Sequence, residues 1–129
     1  VSTFATTPGA FDIPSGLAFA ADGTLCLAAE GTNNLWLITP AGAATRLAGN
    51  ALGLSGSADG VGAAAFFNAP RALAFGPDGH VYVADTFNHT VRQVTRAGQV
   101  TTVAGLAGEP GSADGFGPAG RFNAPSALV

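Results

Sequence analysis

The sequence predicts an all-β chain made of repeated four-stranded antiparallel units, and three observations carry that prediction. The first is a long internal repeat. FDIPSGLAFAADGTLCLAAEGTNNLWLITPAGAATRLAG, from Phe11, returns as FNAPRALAFGPDGHVYVADTFNHTVRQVTRAGQVTTVAG, from Phe67. A third copy opens as FNAPSALV at Phe122 and runs to Val129. Pro14, Pro70 and Pro125 mark the register, roughly 55 residues apart. The second observation is composition. A hydrophobic content of 47% with 10% charged residues marks an ordered, core-rich chain, and 19 Gly with 8 Pro suit short strands joined by tight turns. The third is period: short apolar and β-branched runs alternate with turn residues, and neither unit shows helical spacing.

The second unit reads as strand and turn four times over. Ala72 to Phe75 is a short apolar run, suited to a strand buried on both faces. Pro77-Asp78-Gly79 turns the chain, with Pro presetting φ and Gly taking the positive-φ position. His80 to Asp85 is a strand by propensity. Thr86 to His89 makes the next turn, where Asn88 tolerates left-handed φ. Thr90–Thr95 and Gln99–Ala104 follow, joined at Ala97-Gly98. Unit one gives Gly16–Phe19, Thr24–Ala29, Asn34–Thr39 and Ala43–Ala48, with turns at Asp22-Gly23 and Ala41-Gly42. The connections, 50–68 and 106–123, hold at most a turn of helix, at Gly60 to Ala65 or Gly115 to Gly120.

A unit of this kind cannot bury its own apolar face, so stacked neighbours must supply the core. Four short antiparallel strands per unit, in radial succession, describe a β-propeller blade. Residues 1–129 are expected to form part of one such domain. Residues 1–6 are the last strand of a preceding blade, 11–49 and 69–105 are blades, and 124–129 open the next. An intact ring of about six blades, on the order of 330 residues, is expected, with this chain a central piece. The remaining blades come from the same longer chain or from neighbouring chains. Phe66-Phe67 and Phe122 are placed as wedges between blades.

The run PRALAFGPDGHVYVADTFNHTVRQV, then GQVTTVAG, resembles the NHL repeat. Tyr82-Val83-Ala84-Asp85, Asn88-His89 and Arg92 carry the signature. Unit one departs from it, with Cys26-Leu27-Ala28-Ala29, Asn33 and Trp36 at the matching positions. The resemblance implies a propeller, usually six-bladed, built mainly for binding.

Charge and motifs exclude several functions. A net charge of −3 with five basic residues offers no electrostatic footprint for nucleic acid or for anionic membrane surfaces. No apolar run reaches membrane-spanning length. The single cysteine, Cys26, lies in an apolar strand and reads as a small buried hydrophobe. No catalytic residue and no cofactor are assigned: no serine sits in a nucleophile elbow, and no glycine-rich run leads from a strand into a phosphate-cradling helix. No metal site is assigned either. His80 and His89 stand at opposite ends of one strand, roughly 15–17 Å apart, too far to share an ion. Asp59-Gly60 and Asp114-Gly115 read as turn chemistry.

Two residues stand out as a structural pair. If Asp85 lies opposite Thr90, Arg92 faces Val83 on the same sheet face as Asp85, one diagonal step away. Unit one replaces both together, with Ala29 and Trp36, which avoids leaving one charge buried alone. Trp36 then either caps the face left by the missing pair or offers an aromatic anchor to a partner.

Strand direction alternates, so the tight turns fall on one face of the ring. The opposite face carries 30–34, 86–90 and the long connections, where binding concentrates on a rigid scaffold. The candidate ligand-binding residues there are Asn33, Trp36, Phe87, Asn88 and His89. A notch is expected on this face, and a pocket found only on the tight-turn face would count against it. The leading function is a noncatalytic module, extracellular or periplasmic, presenting this long-loop face to a protein, peptide or glycan. The alternatives are a metal-dependent lyase- or hydrolase-type propeller whose site lies in other blades, and a structural assembly element.

Overall fold

The computed structural model describes residues 13–107, and these form two antiparallel sheets with no α-helix. In the first, β1 (Pro14–Phe19), β2 (Leu25–Ala29), β3 (Asn34–Ile38) and β4 (Ala44–Ala48) lie side by side in chain order. The second repeats this with β6 (Pro70–Phe75), β7 (Val81–Asp85), β8 (Thr90–Val94) and β9 (Gln99–Gly105). It gains a short outer strand, β5 (Gly60–Val61), drawn from the connection between the sheets. Each four-stranded meander is a propeller blade. The strands expected at 1–6 and 124–129, most of the connection 106–123, and Phe122 lie outside the described residues.

Equivalent residues make equivalent turns. Gly23 and Gly79 take φ of 88° and 81°. Asp22 and Asp78 accept hydrogen bonds from the Thr24 and His80 N–H groups at 2.9 and 3.0 Å. At the third turn the Thr39 and Thr95 hydroxyls each accept from the backbone four residues on, at 3.1 Å. Between the second and third strands each blade makes one turn of 3-10 helix, Glu30–Thr32 or Thr86–Asn88. The left-handed residue that ends it is Asn33 (φ 54°) or His89 (φ 58°), not Asn88 as the sequence suggests. The 3-10 turn must close before the chain reverses, which moves the positive φ one residue along.

Asp85 pairs with Thr90 and Val83 with Arg92, the register expected for β7 and β8. Both blades carry bulges at the same places, after Pro14 and Pro70 in the inner strand and after Leu35 and Val91 in the third. Bulges sharpen the local twist, and their repetition gives both sheets one curvature. In the stretch expected to hold at most a helical turn, Gly62–Ala64 forms one turn of 3-10 helix. The preceding Gly60 and Val61 pair with Val100 and Gln99. A strand of two residues leaves no alternation to read, so β5 is a product of tertiary contact.

The blades pack with inner strands β1 and β6 adjacent. The approach is close enough that a Cβ on Gly16 would lie 2.8 Å from the Arg71 carbonyl oxygen. The Ser15 hydroxyl donates to the Pro70 carbonyl across this seam at 2.8 Å. Between the sheets, Cys26, Ala28, Leu35 and Leu47 meet Leu73, Val81, Val83, Val94 and Val100 in one cluster. Phe67, fully buried, joins that cluster from the connection, in the wedge position. A second cluster, Leu25, Leu27, Ala29 and Ile38 with Trp36 and Ala44, lies on the other face of the first blade.

Candidate functional site

Asp85 is the hub of the second blade. It is fully buried and holds three donors: Arg92 Nη1 and Asn88 Nδ2, each 2.7 Å from Oδ2, and the Asn68 N–H, 2.8 Å from Oδ1. Burial pushes its carboxyl above the ordinary range, against the pull of these donors. Arg92 also donates to the Phe66 and Ala58 carbonyls and, at 2.8 Å, to Asp59 Oδ1, while its guanidinium lies 5.1 Å from the Phe67 ring centre. Asp59 in turn accepts from the Thr102 hydroxyl at 2.9 Å and the Thr102 N–H at 3.2 Å. One arginine thereby staples the connection over the blade. The role of Asp59 extends beyond the turn chemistry read from Asp-Gly. Its recurrence as Ser-Ala-Asp-Gly in both connections was the available signal, although the second copy lies outside the described residues.

The first blade builds the same corner differently. Trp36 stands where Arg92 stands, and its Nε1 donates to Asn34 Oδ1 at 2.9 Å, as the Thr32 hydroxyl does. Asn33 ties the corner to the next blade, accepting from the Ala69 N–H at 2.9 Å and donating to the Gly53 carbonyl at 3.0 Å. Of the residues expected to face a ligand, Asn33 and Asn88 therefore engage their amides within the scaffold, Asn88 bonding Gly56 as well as Asp85. Trp36 is half-buried against the second apolar cluster. His89 is half-buried at the left-handed cap. Phe87 is 50% exposed.

Phe87 belongs to a cluster that the sequence does not announce. Arg71, at the start of β6, sends Nε and Nη2 to a single oxygen of Glu30, at 3.0 and 2.9 Å. Its guanidinium lies over the Phe87 ring at 4.7 Å from the centre. Glu30 comes from the loop of the first blade, Arg71 and Phe87 from the second, and all three stand on the long-loop face beside the inner strands. In sequence Arg71 shows only as a polar residue entering an inner strand and Glu30 only as the edge of a loop. Blade stacking joins residues that no local spacing relates.

The opposite face carries a cleft of about 390 Å³ between the blades, lined by Ala20, Ala21, Asp22, Phe75, Pro77 and Arg96 among others. Arg96 bridges it, 3.5 Å from Asp22 and 5.4 Å from the Phe75 ring centre. This concavity lies on the tight-turn side, which counts against the notch expected on the long-loop side. Nearby, His80, Tyr82 and Gln93 surround Asp78, with the Tyr82 hydroxyl donating at 2.9 Å and the His80 and Gln93 side chains 2.8 Å apart. Among the described residues no three His, Cys, Asp or Glu side chains converge as metal ligands, and no helix is long and apolar enough to cross a membrane.

A four-stranded meander stacked on its copy, with an Asp–Arg hub at the blade corner, defines a β-propeller segment. Residues 67–94 match the family model of the NHL repeat, so the second blade is an NHL repeat. No curated protein matches the chain. Among solved structures it resembles a protein of unknown function from Bacteroides thetaiotaomicron, with 26% identity and a TM-score of 0.78 over 88% of this chain and 29% of that one. An auxiliary nutrient binding protein from Bacteroides ovatus matches at 23% identity and a TM-score of 0.75, over 88% and 31% of the two chains. A virginiamycin B lyase from Staphylococcus aureus matches at 20% identity and a TM-score of 0.60, over 83% and 31%. The chain thus spans under a third of each neighbour's length.

Proposed function

We propose that this propeller segment belongs to a noncatalytic binding module, extracellular or periplasmic, whose long-loop face takes a protein, peptide or glycan. The observation that carries this is the Glu30–Arg71–Phe87 cluster: a half-exposed aromatic ring held in place by side chains from two blades. A rigid aromatic beside fixed polar groups is the usual make-up of a recognition site. The nutrient-binding names of two Bacteroides neighbours support the binding role.

The competing location is the tight-turn cleft, so the test sets one against the other. The full-length protein is screened by thermal shift and calorimetry against oligosaccharide, peptide and protein panels, and the best binder is measured again on Phe87→Ala and Arg96→Ala. Binding lost with Phe87→Ala and kept with Arg96→Ala is the expected result. The reverse pattern would move the site to the cleft and end the long-loop reading.

A further inference from the structure

We infer that the Glu30–Arg71–Phe87 cluster is a stacking subsite for a neutral sugar ring. This rests on the long-loop face being the binding face. Charge narrows the ligand first. The Arg71 guanidinium is matched by the Glu30 carboxylate at 2.9 Å, so the cluster is neutral as a unit and the chain around it is acidic, with net charge −3. A phosphate or polyanion would have to displace Glu30 and enter an unfavourable field. A cationic ligand stacked on the exposed part of Phe87 would lie close to the Arg71 guanidinium, 4.7 Å from the ring centre, and be repelled by it.

What stays available suits a polyol with one apolar face. Phe87 is half exposed and can receive the C–H face of a pyranose. Beside it, Glu30 holds both Arg71 donors on Oε1, which leaves Oε2 to accept from a ligand hydroxyl. Arg71 Nη1 has no bond to another described residue and serves as the matching donor to the adjacent hydroxyl. Donor and acceptor set side by side complement vicinal hydroxyls, each of which both gives and accepts a hydrogen bond. The fit needs little reorganisation, because Phe87 is fixed by its own N–H donating to the Asn68 carbonyl at 3.0 Å and Asn68 by Asp85.

The test measures calorimetric binding of cello-, xylo-, manno- and maltohexaose to the full-length protein, at low and high salt, with thermal melts to establish that each variant is folded. At least one sugar should bind with affinity independent of salt. Phe87→Ala should weaken it about tenfold or more, with Phe87→Tyr retaining binding. Glu30→Gln, which keeps the shape but upsets the charge match, should weaken it less. Binding of a peptide or protein that Phe87→Ala abolishes, with no sugar bound, would overturn the sugar inference and leave the face reading intact. Sugar binding unaffected by Phe87→Ala in a folded variant would overturn both.

Discussion

The two blades share strand order, bulges and turn chemistry, yet differ at one corner. There the second blade buries Asp85 and Arg92, while the first has Ala29 and Trp36. The buried arginine reaches out of its own sheet, to the Phe66 and Ala58 carbonyls and to Asp59, and so fixes the connection that crosses it. Trp36 carries no charge; it donates to Asn34, two residues back, and packs against the apolar cluster of its own sheet. A repeat can therefore hold its backbone constant while the side-chain chemistry at one corner changes from blade to blade.

The sharpest way to break this comparison is to remove one member of the buried pair. Arg92→Met strands the Asp85 carboxylate, and a loss of about 3–5 kcal/mol is expected in urea denaturation. Trp36→Ala, at the matching position of the other blade, should cost about 1–2 kcal/mol because that side chain is half-buried. Installing the first blade's residues together, Asp85→Ala with Arg92→Trp, should be less damaging than Arg92→Met alone. A double variant as unstable as the single one would show that the connection, not charge burial, sets the cost.

The seam between the blades gives the next effect. Gly16→Val should cost about 1–3 kcal/mol in the same denaturation assay, since its side chain would meet the backbone of Arg71 and Ala72. Ala72 occupies the matching position in the second blade and already carries a Cβ, so Ala72→Gly should change stability by about 1 kcal/mol or less. A tolerated Gly16→Val would mean that the blades can move apart.

Two smaller effects sharpen the picture. Burial pushes the Cys26 thiol up to about 12, so a disulfide reagent at neutral pH should label it no faster than the protein unfolds. Immediate labelling in the native state would contradict the packed seam. The smallest effect belongs to the matched turns. The Thr24 and His80 N–H groups lower the Asp22 and Asp78 carboxyls below the ordinary range. Unfolded chains therefore bind those protons first as the solution is acidified. Stability from these turns is present above the ordinary carboxylate range and is lost as pH falls through the lowered values. Melting temperature against pH should show that acid slope shrinking slightly in Asp22→Asn with Asp78→Asn.

The resolved strands were legible because strand period, turn residues and repeat register all act locally. Asp78-Gly79 turns the chain wherever it stands, and β-branched runs such as Val81 to Val83 favour extended backbone on their own. The alignment of the two copies even related Asp85 to Arg92, since one residue type vanished with the other. The candidate site was only partly legible. Phe87 and the loop that holds it could be named, but Asn33 and Asn88, chosen with it, turn their amides inward.

Sequence alone thus determined an all-β chain of repeated four-stranded blades, the NHL character of the second, and the register that sets Asp85 beside Arg92. Tertiary structure alone decided that Asp59 accepts from Arg92, that β5 pairs with β9, and that Glu30 reaches Arg71 across the seam. The physical reason is range. Backbone preference and side-chain alternation are fixed within a few residues, whereas ion pairs and strand edges between blades depend on how closely two sheets stack, and at this seam Gly16 leaves no side chain in the way of that approach.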